Sequence, residues 1–238
     1  MPQFFISNSQ IENNNCIIQG KDFYHLTNVR RVAPGDTILL KTENKTLKTT
    51  VTSITEHSII TSIFEASTSE HTEKNIILYL SLLKGKSFDL AIQKATEVGV
   101  SEIVPVVTER TIPKIDNKEE KKLERWNSIS YEAAKQCMRN SIPEVTPPLH
   151  FKDCITTIAG GNIIAHTVKK SHTIDFTQLY NEKNILNILI GPEGGFSDKE
   201  IQEALDHNWH PFHYGYTVLR GETAASIIPA IIINELQK

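Results

Sequence analysis

Cysteine is scarce in this sequence, and its spacing fits neither a disulfide framework nor a zinc site. Only Cys16, Cys137 and Cys154 occur among 238 residues, far apart and without a Cys-x-x-Cys pair. An odd number of scattered cysteines is typical of a protein kept in a reducing compartment. We therefore expect a cytoplasmic protein without a cysteine-bound metal.

Long apolar runs are also missing. The two longest, residues 76–83 and 227–233, are too short to cross a bilayer, because a spanning helix needs about 20 apolar residues. The first five residues have no basic segment before an apolar one, so no secretory signal is visible. The sequence therefore predicts no membrane partner.

The nine histidines lack the arrangement of a metal centre. His207, His210 and His213 are three residues apart, but Trp209 and Pro211 interrupt any regular helix there. Zinc would also need a fourth ligand, or an open site with a carboxylate partner. We expect no metal.

An excess of positive charge is lacking as well. The chain carries 25 Lys and Arg residues against 28 Asp and Glu residues, so its net charge is −3. Phosphate contacts depend on local cations and not on a positive total. Any RNA site must therefore be a basic patch on an otherwise acidic molecule.

The chain is expected to form two domains. Residues 67–74 contain no large apolar side chain and predict a linker. Before it, residues 37–40, 48–54 and 58–64 are rich in β-branched side chains and predict strands, with a short helix over residues 22–30. This pattern predicts a small β-barrel-like domain over residues 1–68.

Strands and helices alternate in the second domain, residues 75–238. This alternation predicts an α/β fold with a mostly parallel sheet covered on both faces. Asp116 with Glu119, and Ser197 with Glu200, have the spacing of capping boxes at helix starts. The predicted strands are residues 76–83, 102–107, 162–166 and 185–190, and the predicted helices are residues 87–98, 116 to about 140, 197–207 and 222–236.

Two glycine-containing loops near the C-terminus are the best candidates for a binding site. Residues 188–197 lead from an apolar strand through three glycines into a capped helix, and residues 214–225 lead through Gly215 and Gly221 into an apolar helix. Glycine lets a backbone approach a ligand closely, although a tight turn and a helix cap are the alternatives. Neither loop has the Walker or GxGxxG pattern, so phosphate binding is disfavoured.

Together the two loops resemble the closing motifs of the RsmE family of 16S rRNA uridine-N3 methyltransferases, in the SPOUT superfamily. Those motifs look like LiGPEGGfs and LG-x-x-ILR-x-ETA, and residues 189–197 and 215–224 match them. Thr217 stands where family members commonly carry a basic residue, and Tyr214 replaces an aliphatic one. Further matches, in the same order along nearly the whole chain, are residues 25–31 with 34–36, residues 84–86 with 93–100, and residues 132–139 with Pro143.

The resemblance implies a PUA-like N-terminal domain and a SPOUT α/β domain with a deep C-terminal trefoil knot. In that family the knot's loops bind S-adenosylmethionine, the enzyme is usually a homodimer, and the substrate is 16S rRNA or the small ribosomal subunit. The residues implied for the cofactor are Ala165, His166, Thr167, Ile190, Gly191, Glu193, Gly194, Gly195, Val218, Leu219, Arg220, Thr223 and Ala224.

The implied chemistry sets further requirements. Uracil N3 carries a proton on the pairing edge, so the base must be unpaired, and a group must accept the proton or stabilise the uracil anion. Glu97, Glu193 and Glu222 are candidate acceptors, although a helix cap or a pairing role is open for each. Arg139 and Arg220 are candidate anion stabilisers. The predicted catalytic residues are Arg220, Arg139 and Glu97.

RNA binding is expected from basic and polar residues inside the matching stretches. Phe23 and Tyr24 are candidates for stacking on bases, with core packing as the alternative. The predicted RNA-binding residues are His25, Asn28, Arg30, Arg31, Lys84, Lys86 and Arg139.

Three hypotheses follow. The first is a uridine-N3 methyltransferase acting on 16S rRNA. The second is a related SPOUT enzyme that methylates a tRNA base or a ribose 2′-hydroxyl, which the match at residues 25–36 disfavours. The third is a non-catalytic RNA-binding or assembly module, for which only the Thr217 departure speaks.

Overall fold

The computed structural model describes residues 3–68, 73–112, 119–157, 159–167, 174–215 and 217–238. The chain divides into two compact units. The first comprises Met1–Thr72 with Lys135–Ser141, and the second Glu73–Ala134 with Ile142–Lys238. The predicted domains, 1–68 and 75–238, were contiguous segments, whereas the first unit here takes an additional segment from later in the chain.

The first unit is built on a six-stranded sheet with the order β1-β4-β5-β6-β3-β2. Strands β1 and β4 are parallel and the other neighbours antiparallel. The three predicted strands are confirmed as β4, β5 and β6, with somewhat wider bounds. The strands are β1 (Gln3–Phe5), β2 (Ile11–Glu12), β3 (Asn15–Ile18), β4 (Thr37–Lys41), β5 (Lys45–Ile54) and β6 (Ile59–Thr68), with a 3-10 turn at Asn8–Gln10.

The predicted helix over residues 22–30 consists of two pieces. A short helix α1 (Gly20–Tyr24) continues into a π-helical turn, His25–Arg30, which ends where Arg31 adopts a left-handed conformation with φ of 55°. Phe23 and Leu26 are buried in the core of this unit, against the sheet. Long π-helical turns are uncommon and are frequently found at functional sites.

The segment Lys135–Ser141 is an integral part of the first unit. The Lys135 ammonium donates to Asp22 Oδ1 at 2.8 Å and lies 4.4 Å from the centre of the Phe4 ring. The side-chain amide of Gln3 donates to the backbone carbonyl of Arg139. These buried polar contacts give the segment a fixed place in the unit, because a buried cation is costly unless it is paired.

The second unit is an α/β fold around a parallel seven-stranded sheet. The strand order is β10-β8-β7-β12-β11-β13, and β9 also pairs with β8. The strands are β7 (Ile76–Ser81), β8 (Glu102–Val107), β9 (Glu144–Val145), β10 (Leu149–His150), β11 (Gly161–Ala165), β12 (Leu186–Ile190) and β13 (His210–Phe212). The helices are α2 (Ser87–Val98), α3 (Glu119–Gln136), α4 (Phe151–Thr157), α5 (Phe176–Asn181), α6 (Asp198–Asp206) and α7 (Gly221–Glu235).

Helices cover both faces of this sheet, as the alternating pattern predicted. Because successive side chains of a strand point to opposite faces, Leu78 and Leu80 of β7 pack in one core with residues of α2 and α7, including Ile92 and Ile232. Tyr79 packs in a second core with residues of α4 and α6. Both faces of the parallel sheet are therefore buried, and a site can form where the strands have their carboxyl ends.

Some predicted boundaries of helices and strands agree with the structure, and others differ. Helix α2 and strand β8 have the predicted bounds, and α6 has the predicted capping box between Ser197 and Glu200. Helix α3 ends at Gln136 and not near residue 140; Met138 follows with φ of 61°. Asp116 and residues 69–72, half of the predicted linker, lie outside the described residues.

Candidate cofactor and active site

A cavity of about 750 Å³ lies at the carboxyl ends of three adjacent strands in the second unit. It is lined by the ends of β11, β12 and β13 and the segments that follow them, together with the start of α7. Ligands in parallel α/β sheets bind at this edge, where loops from neighbouring strands meet. The volume lies within the range of about 300–1,000 Å³ typical of small-molecule sites.

The residues predicted for a cofactor converge on this cavity, with one exception. Thr223 is exposed and is not among the lining residues; its carbonyl accepts a hydrogen bond from Ser226 Oγ at 3.0 Å. The predicted residues that line the cavity are Ala165, His166, Thr167, Ile190, Gly191, Glu193, Gly194, Gly195, Val218, Leu219, Arg220 and Ala224.

The loop after β12, residues 191–197, is held in a defined shape and is called the β12 loop below. The Gly195 amide donates to the Pro192 carbonyl at 2.8 Å, which closes a turn, and Gly195 itself has φ of 67°, a conformation that favours glycine. Glu193 Oε1 accepts from the Lys84 amide at 2.8 Å. Arg110 Nη1 donates to the Gly194 carbonyl at 2.8 Å. The loop is therefore tied to the segments that follow β7 and β8.

The end of the β12 loop is fixed by a group of carboxylates and a hydroxyl, Glu109, Ser197 and Glu200, called the β8–α6 bracket. Ser197 caps α6, and Glu200 Oε2 accepts from the Ser197 amide at 2.9 Å. Glu200 Oε1 accepts from the Glu109 amide at 2.8 Å, and Ser197 Oγ donates to Glu109 Oε2 at 2.8 Å. Each buried polar group in the bracket has a partner, which makes this junction rigid.

The segment before α7 brings charged side chains to the cavity. Arg220 is exposed, has an extended backbone and precedes the first turn of α7. Arg220 and Glu222 both line the cavity. Gly221 lies so close to the core that an added Cβ would be 2.7 Å from Leu83 Cδ2. Close packing at Gly221 thus sets where its charged neighbours emerge.

Of the three predicted catalytic residues, the structure brings only Arg220 to the cavity. Glu97 is not among the lining residues; its carboxylate accepts from Lys94 Nζ at 2.7 Å and from Gln93 Nε2 at 3.0 Å on the same helix. Arg139 belongs to the first unit and is 7% exposed. Glu97 is therefore placed as an ion-pair partner on a helix surface, and Arg139 as a buried residue of the first unit.

The predicted RNA-binding residues fall into two groups. Asn28, Arg30, Arg31, Lys84 and Lys86 are exposed. His25 is half-buried, with its ring packed edge-on against Phe4 at 5.7 Å, and Arg139 is buried. Of the two candidate stacking residues, Phe23 is in the core, whereas Tyr24 is 59% exposed. The exposed group is available to a partner.

Other residues of the cavity were not predicted. Arg110 is the third residue after the carboxyl end of β8, and His213 directly follows that of β13, so both positions can be found once the strands are known. The lining residues that lie outside the predicted loops are Ser87, Arg110, Asp198, Phe212, His213 and Ile228.

Two of the three cysteines, Cys16 and Cys154, are buried and unsuited to nucleophilic chemistry. Burial raises the pKa of the Cys154 thiol and also that of the Cys16 thiol. Buried thiols with a raised pKa are inert. Within the part of the chain that the structure describes, no group of three His, Cys, Asp or Glu side chains could hold a metal ion. None of the described helices combines the length and apolar character of a membrane span.

Comparison with known proteins defines the class. A family model described as RNA methyltransferase domain matches residues 70–233, so the chain belongs to the RNA methyltransferase family. A Ribosomal RNA small subunit methyltransferase E from Mesomycoplasma hyopneumoniae is 38% identical over 159 residues, which are 64% of this chain and 66% of that protein. One from Bacillus subtilis is 29% identical over 238 residues, covering 94% of this chain and 93% of that protein.

A solved structure narrows the assignment. The Ribosomal RNA small subunit methyltransferase E from Neisseria gonorrhoeae, bound to S-adenosyl methionine, is 26% identical with a TM-score of 0.86. The likeness covers 98% of this chain and 97% of that one. Within the RNA methyltransferases, the chain is a member of the RsmE family.

Proposed function

We propose that this protein transfers the methyl group of S-adenosylmethionine to N3 of one uridine in the 16S rRNA of the small ribosomal subunit. The observation that carries the proposal is the convergence of residues 165–167, residues 191–196 of the β12 loop, and residues 217–222 with Ala224 on one cavity. Membership of the RsmE family supports the reaction class, and the N. gonorrhoeae relative is bound to this cofactor.

The cavity residues fit S-adenosylmethionine. Ile190, Val218 and Leu219 line the cavity and offer apolar contacts to an adenine ring. Glu193 and Glu222 offer negative charge to a ligand that carries a sulfonium and an ammonium. When bound, the cofactor supplies an electrophilic methyl group. The protein's contribution is to hold methyl and acceptor in line, which is worth roughly 7–11 kcal/mol of barrier.

Arg220 is the proposed catalytic residue of this chain. Removal of the N3 proton leaves negative charge on the flanking uracil oxygens, and a guanidinium in the cavity stabilises that charge. Glu193, Asp198 and Glu222 are the carboxylates that line the cavity, and one of them is proposed to accept the proton. Oε1 of Glu193 is already engaged by the Lys84 amide.

The first unit is proposed to bind the RNA. Its exposed Asn28, Arg30 and Arg31 lie on or beside the π-helical turn and supply polar and cationic groups. The resemblance to the RsmE family supports a PUA-like character for this unit, a trefoil knot around the cavity, a homodimer and a cytoplasmic location, and these remain part of the proposal.

The test is a methylation assay with labelled S-adenosylmethionine and small ribosomal subunits from cells that lack this activity. We expect 3-methyluridine in the 16S rRNA, a loss of at least about a hundredfold in rate for Arg220→Ala, and near-normal rates for the control Glu97→Gln. Label in bulk tRNA and none in rRNA would support a related tRNA enzyme instead. A chain that binds no cofactor in calorimetry would be a non-catalytic module.

A further inference from the structure

We propose that Arg110 is a positioning residue that sets cofactor affinity by fixing the β12 loop. This inference rests on the proposed function. The Arg110 side chain lines the cavity, donates to the Gly194 carbonyl at 2.8 Å and covers Gly194 with its stem. A Cβ added to Gly194 would be 3.4 Å from both Cβ and Cδ of Arg110.

The backbone that carries Arg110 is held in a tight turn. The Thr111 amide donates to the Thr108 carbonyl at 3.1 Å, and the Thr108 amide donates to Thr111 Oγ1 at 2.9 Å. The two threonine hydroxyls are 2.8 Å apart and hydrogen-bonded. Arg110 therefore starts from a fixed Cα position, and little backbone freedom is lost when its side chain binds the loop.

The β8–α6 bracket joins the same turn to the far end of the β12 loop. Glu109, the residue before Arg110, is bound through its amide to Glu200 and through its carboxylate to Ser197. Arg110 and the bracket thus connect the end of β8 to two successive parts of the loop. Because β7 lies between β8 and β12 in the sheet, these contacts join the ends of two strands that are not neighbours.

The loop is consequently held from two directions. Glu193 is bound by the Lys84 amide after β7, and Gly194 by the Arg110 side chain after β8. The Gly194 carbonyl belongs to the same peptide as the Gly195 amide, which closes the turn to Pro192. Because Arg110 fixes the plane of this peptide, it fixes the loop shape that meets the cofactor. Ordering the loop beforehand removes a cost that binding would otherwise carry.

The test compares Arg110→Ala, Arg110→Lys and the control Arg125→Ala in the full chain. Arg125 is an exposed arginine of the same unit whose guanidinium binds Asp89 outside the cavity. We expect Arg110→Ala to raise the calorimetric Kd for S-adenosylmethionine about tenfold, the equivalent of 1.4 kcal/mol. The KM for this cofactor should rise in parallel, with kcat changed less than about threefold. Arg110→Lys should recover part of the affinity, and Arg125→Ala should match wild type.

A double-mutant cycle separates positioning from a local packing effect. Glu109→Gln weakens the bracket, and its effect on cofactor Kd should be smaller than, and not additive with, that of Arg110→Ala. A Kd for Arg110→Ala within twofold of wild type overturns the inference, as does a lower kcat with unchanged Kd, which would place Arg110 on the reacting base. Additive effects in the cycle also contradict it. If the wild-type chain itself binds no cofactor, the proposed function fails, and this inference with it.

Discussion

At the scale of single residues, the cavity depends on the close approach of Gly221 to the core. Gly221 is the first residue of α7 and is buried, and Leu83, which it faces, is 3% exposed. A close-packed interior resists added volume, because neighbouring side chains must leave their preferred rotamers. Arg220 and Glu222, on either side of Gly221, reach the cavity from this anchored position.

Gly221→Ala should therefore destabilise the protein by about 1–3 kcal/mol, the usual cost of overpacking. The added methyl would lie 2.7 Å from Leu83 Cδ2 and 3.1 Å from Cδ1, so Leu83 must move within the core. Urea unfolding followed by tryptophan fluorescence measures the change. The control is Gly194→Ala, where the added Cβ meets Arg110 at an ordinary 3.4 Å. An equal loss of stability in both variants would contradict the packing argument.

At the scale of elements, strands β8 and β9 place two carboxylates opposite each other. Glu102 pairs with Glu144 in the parallel register of these strands. Burial, and in addition the charge of Glu144, raise the pKa of Glu102. Like charges directly across neighbouring strands are unfavourable by a few tenths of a kcal/mol up to about 1 kcal/mol. Repulsion between these two carboxylates therefore destabilises this end of the sheet at neutral pH.

Glu102→Gln should raise the free energy of unfolding at pH 7 by about 0.5 kcal/mol. Since the folded state binds the Glu102 proton more tightly than the unfolded state, wild-type stability falls as pH rises through the raised pKa. The gain in the variant should accordingly shrink as pH is lowered toward the ordinary glutamate pKa of about 4.3. Denaturation at pH 7 and pH 4 tests this, with the exposed Glu124→Gln as control. A gain that is the same at both pH values would rule the explanation out.

Elements with a clear periodicity were predictable, and very short ones were not. Helix α2 shows its period over 12 residues, strand β8 is a continuous apolar run after Glu102, and both have the predicted bounds. Strands β9, β10 and β13 contain only 2 or 3 residues, too few to show an alternation. Their places in the sheet come from tertiary pairing, which no local pattern encodes.

The site was predictable to the extent that its residues lie in the glycine loops. The two glycine-containing loops of the sequence correspond to the β12 loop and to the segment before α7, and both line the cavity. Arg110 was not predicted, because its hydrogen-bond partner Gly194 is 84 positions away in the sequence. The two residues come together only through the order of the strands in the sheet. Glu97 was predicted to be catalytic, but its carboxylate pairs with a lysine of the same helix.

At the scale of the whole molecule, the net charge is unfavourable for RNA binding, and only local groups of basic residues favour it. The chain has a net charge of −3, yet Arg30 and Arg31 are both exposed beside Asn28 in the first unit. An acidic body repels the phosphate backbone, so affinity must come from a few local contacts. Each such contact releases counterions, and the salt dependence of binding therefore counts them.

Arg30→Ala should weaken binding to 16S rRNA and lower the slope of log affinity against log salt by about 0.7–0.9, the contribution of one phosphate contact. The side chain is exposed, so folding should be unaffected. Fluorescence anisotropy with a labelled rRNA fragment at several potassium chloride concentrations measures both quantities. Lys48→Ala is the matched control, because Lys48 is an exposed cation of the same unit that pairs with Glu65 at 2.8 Å. If Lys48→Ala lowers the slope as much as Arg30→Ala does, the RNA contacts are spread over the unit, and the patch beside the π-helical turn has no special part in binding.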